Sequence, residues 1–151
     1  MKQGEVLELI KKTEAIMEKE ENPLSSICDL LREDVAHYDW VGFYLVDPEE
    51  DRMLVLGPFS GKPTDHTRIP FGRGICGQAA DTGELFIVPD VNREGNYLSC
   101  SPEVKSEIVL PIRKDGDIVG ELDIDSHRIS PFDENDRILL EKICSLVAPL
   151  I

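Results

Sequence analysis

Basic residues are scarce in this chain: 16 Lys and Arg stand against 30 Asp and Glu, giving a formal charge of -14 at pH 7 over 151 residues. Such a field repels phosphate backbones and anionic headgroups, which argues against nucleic-acid and membrane-surface partners. Long apolar runs are missing too; none approaches the ~20 residues of a membrane span. The opening residues, Met1-Lys2-Gln3-Gly4-Glu5, have neither the basic start nor the apolar block of a secretory leader, so a cytoplasmic location is expected. Cysteine is sparse, with four residues at 28, 76, 100 and 144 and no C-x-x-C or Cys/His cluster. That spacing predicts reduced thiols and no structural zinc or other bound metal. The sequence shows neither a repeat of roughly 20–50 residues nor a low-complexity segment, which excludes a solenoid or a long disordered tail.

What the chain does have is a clear change of texture. Val6, Leu7, Ile10, Ile16 and Met17 fall on one face of a segment rich in Lys and Glu, predicting a first helix. Asn22-Pro23 starts a second, with Leu24, Ile27, Leu30, Leu31 and Val35 as its apolar side. From Trp40 the residues turn aromatic and β-branched: 40–46 and 53–59 predict two strands joined across a short polar turn. A loop over 60–67 follows, and glycines at 72, 74 and 77 then give way to a short helix from about Gly74 to Thr82, stopped near Gly83. Residues 85–89 form a brief strand, and a second loop, 90–102, contains Cys100. Strands at 107–112 and 118–125 flank Lys114-Asp115-Gly116-Asp117, the strongest hairpin signal present. Ser130-Pro131-Phe132-Asp133 opens a final helix whose apolar face is Ile138, Leu139, Ile143, Leu146, Val147 and Leu150. This order implies one α+β domain over 1–151 with a single antiparallel sheet. Its N-terminal helices lie within 1–38, its sheet and pocket loops within 40–126, and its C-terminal helix within 131–149.

Three residue groups carry candidate chemistry. Cys28 and Cys144 sit inside amphipathic helices and are read as core packers, whereas Cys76 and Cys100 sit in or beside Gly- and Ser-rich loops. In the first turn of the short helix, Cys76 would have its thiolate favoured by the helix dipole and by nearby Arg68 and Arg73. Cys100 has only Lys105 for such help. Glu121, Asp123 and Asp125 alternate with Leu122 and Ile124, so the strand period places all three carboxylates on one face. Composition favours a solvated face there; the alternative is a cation-binding or proton-donating pocket that Glu107 joins across the ladder. His37, His66 and His127 are scattered among turn or charged residues and are read as surface residues. The glycines at 72–77 match neither the P-loop nor the dinucleotide spacing.

These blocks resemble a known family. Trp40-Val41-Gly42-Phe43-Tyr44, Leu56-Gly57-Pro58-Phe59, Arg68-Ile69-Pro70-Phe71-Gly72-Arg73-Gly74, Pro89-Asp90-Val91, Ser106-Glu107-Ile108-Val109-Leu110-Pro111 and Leu122-Asp123-Ile124-Asp125-Ser126 look like the stand-alone GAF domains that include free methionine-R-sulfoxide reductase. The resemblance implies an antiparallel sheet with the N- and C-terminal helices on one face and a ligand pocket on the other. It implies Cys100 as catalytic nucleophile and Cys76 as resolving thiol, with the two roles exchangeable. Glu107, Asp123 and Asp125 match the pocket carboxylates, and Trp40 and Tyr44 the aromatic walls. The implied activity is reduction of free methionine sulfoxide or a similar small amino acid. It would use no bound cofactor, an external thioredoxin-type reductant and a homodimer. The alternatives are a non-catalytic GAF ligand-binding or sensory module that keeps the acidic pocket, and a dimerisation unit. Two departures stand out. His66 occupies the place of a family cysteine two residues before the Arg-Ile-Pro-Phe block, and the loop around Cys100 differs from that of the active enzymes.

Overall fold

The computed structural model describes residues 1–99 and 101–151. Cys100 lies outside the described residues.

Three helices form where apolar residues recur at helical spacing. Helix α1 spans Gln3–Lys19 and α2 Leu24–Asp34. Helix α4 spans Glu134–Val147 and begins on a capping box in which Asp133 accepts from the Asp136 N–H while the Asp136 carboxylate accepts from the Asp133 N–H. The faces differ in detail from the sequence reading. Leu9 and Thr13 form the centre of α1 while Leu7 is exposed, and Leu140 and Cys144 replace the exposed Ile138 and Leu150 in the C-terminal core. Thr13 is buried because its hydroxyl bonds back to the Leu9 carbonyl at 2.8 Å.

Between these helices lie six strands: β1 Trp40–Val46, β2 Met53–Ser60, β3 Arg68–Pro70, β4 Phe86–Val88, β5 Ser106–Lys114 and β6 Asp117–Ser126. They form one sheet in the order β3-β2-β1-β6-β5-β4 with every pairing antiparallel. The β5–β6 hairpin turns at Asp115 and Gly116, both at positive φ, the requirement of a type I′ turn. Strand β3 is a strand the sequence pattern hides: three residues ending in proline, paired to the edge of β2.

Alternation along the strands sorts the sheet into two faces. Val41 and Phe43 of β1, Leu122 and Ile124 of β6, and Ile108, Leu110 and Ile112 of β5 point to one side, where α1, α2 and α4 complete the main core. Cys28 and Cys144 are buried in that core, as expected of packers. Helix α3, Gly74–Thr82, covers the opposite face with Ile75, Cys76, Ala79 and Ala80. Its approach is close. A Cβ on Gly77 would stand 2.6 Å from the Pro70 carbonyl oxygen, so only glycine lets α3 lie against the end of β3.

Candidate functional site

The β1–β6–β5 ladder sets the site residues side by side on the face beneath α3. Trp40 pairs with Asp125, which pairs with Glu107; Gly42 pairs with Asp123; Tyr44 pairs with Glu121. Glu107 therefore joins the β6 carboxylates across the hairpin. The solvated face favoured by composition does not exist: Glu107, Glu121, Asp123 and Asp125 are all buried, because α3 and the loop after β4 cover them.

Aromatic residues hold one wall. Trp40 stacks on Phe59 with centroids 5.6 Å apart and lies 6.4 Å from Tyr44. Its indole N–H donates to the Lys62 carbonyl at 3.0 Å. Its ring crosses Gly42, where any Cβ would fall 2.3 Å from a ring carbon. The Tyr44 hydroxyl donates to the His66 carbonyl at 2.8 Å.

Cys76 occupies the third residue of α3, and its thiol donates to Glu107 Oε2 at 3.8 Å. The expected thiolate bias is corrected here. Burial pushes the Cys76 thiol well above its ordinary value, and the negative charges of Asp123, Glu121 and Glu107 push it further. Neither arginine counters this. Arg68 is exposed and paired with Asp47 and Glu50, and Arg73 is exposed at the helix start. Desolvation beside carboxylates outweighs half a unit of helix charge. The acids respond the same way: burial raises Glu121 and Asp125 well above the carboxylate range, with the Asp123 charge adding to both, and burial raises Asp123.

The sequence reading missed Asn96 and misjudged His66 and His37. His66 is half-buried and lines the cavity beside Cys76; its Nε2–H donates to the Ser99 carbonyl at 3.0 Å. It is not the plain surface residue expected. His37 likewise is half-buried, bonded to the buried Asp136 carboxylate at 2.7 Å, whereas His127 is exposed. Asn96 ties the second loop to α3, accepting from the Gly74 N–H and donating to the Gly72 carbonyl, both at 2.8 Å. Glu121 belongs to the site, and its two oxygens have no hydrogen-bond partner among the described residues.

The predicted set lines two neighbouring cavities. Tyr44, Cys76, Glu107 and Asp123 line a small, partly open one of about 10 Å³, beside Leu98 and His66. Trp40 and Asp125 line a larger one of about 240 Å³, rimmed by Arg32, Lys62 and His127. The second has the volume of a small ligand; the first holds one water or one ion.

Fold and site together define the class: a GAF fold with an acidic, thiol-bearing site on the face opposite its three long helices. The chain belongs to the GAF domain family, whose model matches residues 20–151. It is 41% identical over 141 residues to GAF domain-containing protein A of Dictyostelium discoideum, covering 92% of this chain and 87% of that protein. It is 46% identical over 110 residues to the free methionine-R-sulfoxide reductase of Saccharomyces cerevisiae, covering 72% of this chain and 61% of that one. Among solved structures, free methionine-R-sulfoxide reductase from Neisseria meningitidis in complex with its substrate superposes with a TM-score of 0.90 at 36% identity, covering 99% of this chain and 90% of that chain.

Proposed function

We propose that this chain reduces free methionine-R-sulfoxide to methionine. The observation that carries the reading is a buried thiol, Cys76, bonded to Glu107 beside Asp123, in a chain this similar to named reductases. The carboxylates pair with the substrate ammonium, and Trp40 and Tyr44 flank its methyl and side chain. A cysteine sulfur, that of Cys100 in this reading, attacks the sulfoxide sulfur. The substrate S–O bond breaks as oxygen passes to the cysteine sulfur and takes the thiol proton, the transient S–S bond breaks and methionine leaves, so cysteine becomes a sulfenic acid, oxidised by two electrons while the sulfoxide is reduced by two. The second thiol, Cys76, displaces water from the sulfenic acid to form a disulfide, which an external dithiol of the thioredoxin type reduces. Cys76 and Cys100 can exchange roles without changing this balance. The inner cavity, at about 10 Å³, must widen for an amino acid to reach Glu107 and Asp123. A homodimer joined through the outer faces of α1 and α4, where Leu7 and Ile138 are exposed, belongs to the same reading.

Thioredoxin-coupled turnover of free methionine-R-sulfoxide tests it. Cys100→Ser should abolish turnover and Cys76→Ser should stop it after one cycle; an unmodified protein that does not turn over refutes the reading. His66, standing where the resembling enzymes carry a third cysteine, favours a second reading: a module that binds an amino acid without reducing it. Calorimetric binding of methionine by a protein that leaves its sulfoxide unreduced would establish that alternative.

A further inference from the structure

We propose that the inner cavity is a site for one divalent metal ion of zinc's class, ligated by Cys76, Glu107 and Asp123. The Cys76 sulfur and one oxygen from each carboxylate lie within 4.8 Å of one another, and all three residues are buried. Cys76 Sγ and Glu107 Oε2 are 3.8 Å apart. Two ligands at ordinary Zn–S and Zn–O lengths on a tetrahedral ion stand about 3.6 Å apart, so this pair needs almost no movement.

A second observation points to a missing cation. Asp123 Oδ1, from a residue on the cavity wall, is buried without a hydrogen-bond partner among the described residues. Buried acceptors are rarely left this way, and a cluster of acids is stabilised by a positive charge at its centre. No Lys or Arg is among the described residues that line the cavity. Its volume of about 10 Å³ suits a single ion and is far too small for an amino acid.

The donor set selects the metal. Magnesium and calcium take oxygen ligands, whereas a thiolate beside two carboxylates suits zinc or cobalt(II). On binding, the Cys76 S–H bond breaks, its electron pair goes to the metal and the proton leaves to solvent; no group changes oxidation state. Strand alternation offered Asp123 and Glu107 as a cation-binding pocket, but the thiol ligand comes from α3 and joins them only in the fold.

The test is a cobalt(II) titration of the reduced, chelator-treated protein, read by absorbance and followed by zinc displacement. It measures binding rather than turnover, so it can fail while the reductase reading stands, and the reverse. About one cobalt per chain should bind with a thiolate charge-transfer band that zinc bleaches. The band should vanish in Cys76→Ser and persist in Cys28→Ser, Cys100→Ser and Cys144→Ser. Asp123→Asn, checked for folding by circular dichroism, should weaken zinc affinity at least tenfold, and it decides the matter if Cys76→Ser does not fold. No band in the unmodified protein, a band that survives in Cys76→Ser, or unchanged affinity in Asp123→Asn would each overturn the proposal.

Discussion

The two faces of one sheet follow opposite rules, although the same strands build both. Toward α1, α2 and α4, β1 and β6 present Val41, Phe43, Leu122 and Ile124, all fully buried among apolar neighbours. One residue away along the same strands, Asp123, Glu121 and Asp125 are as deeply buried, beside a thiol. The first face stabilises the fold by removing apolar area from water. The second costs stability through desolvated acids and orphaned oxygens. Stability is therefore concentrated on one side and chemistry on the other, and substitutions at adjacent residues, about 3.8 Å apart along a strand, should fall into different classes.

Neighbours in β1 give the largest contrast. Phe43→Ala should lower the unfolding free energy by about 3–5 kcal/mol in denaturant titration, through transfer loss and a cavity. Tyr44→Phe removes only the hydroxyl bonded to the His66 carbonyl and should cost about 1 kcal/mol while altering ligand affinity. Equal costs at the two positions would break the comparison.

A gain in stability is expected on the acidic face. Replacing the partnerless acid, Glu121→Leu, should stabilise the metal-free protein by about 1–3 kcal/mol, whereas a polar substitution on the opposite face would destabilise it. The pH dependence follows from the same acids. Glu121, Asp123 and Asp125 hold their protons in the folded chain above the pH, about 4, at which the unfolded chain releases them. The unfolded state then binds fewer protons than the folded one, so stability should fall as pH rises from about 4 toward the raised folded values. Urea melts of chelator-treated protein at pH 5 and pH 8 check this, and Glu121→Leu should flatten the slope.

The smallest effect belongs to Arg68. Its partners Asp47 and Glu50 lie near the protein surface, so Arg68→Ala should cost less than about 1 kcal/mol. It should also leave the labelling rate of Cys76 unchanged; a slower rate would restore the arginine as a thiolate partner.

Most of the architecture was legible because it rests on local signals. Period-3.6 faces gave the terminal helices, Asp115-Gly116 gave the main hairpin, and Gly83 in the left-handed region stopped α3 where expected. Strand β3 was not legible, since three residues have no periodicity and their pairing depends on β2 being there. For the site, alternation put Glu121, Asp123 and Asp125 on one face but could not say what covers it. Charged residues on a strand read as solvated until α3 and the loop carrying Asn96 are placed over them. The same blindness misjudged His66, whose cavity is assembled from β1, β5, β6 and α3. It also inverted the expected ionisation of Cys76, because a helix N-terminus is a local signal and the carboxylates that oppose it are not.

The central claim is that the acidic face does sulfur chemistry with its cysteines, and one single-turnover measurement tests it directly. Reduced protein is mixed with excess free methionine-R-sulfoxide without an external reductant, methionine is counted, and the protein is digested and mapped by mass spectrometry. The account predicts about one methionine per chain together with a peptide cross-link joining Cys76 to Cys100. Absence of methionine, or methionine formed with no such cross-link and with Cys76 still a free thiol, would contradict it.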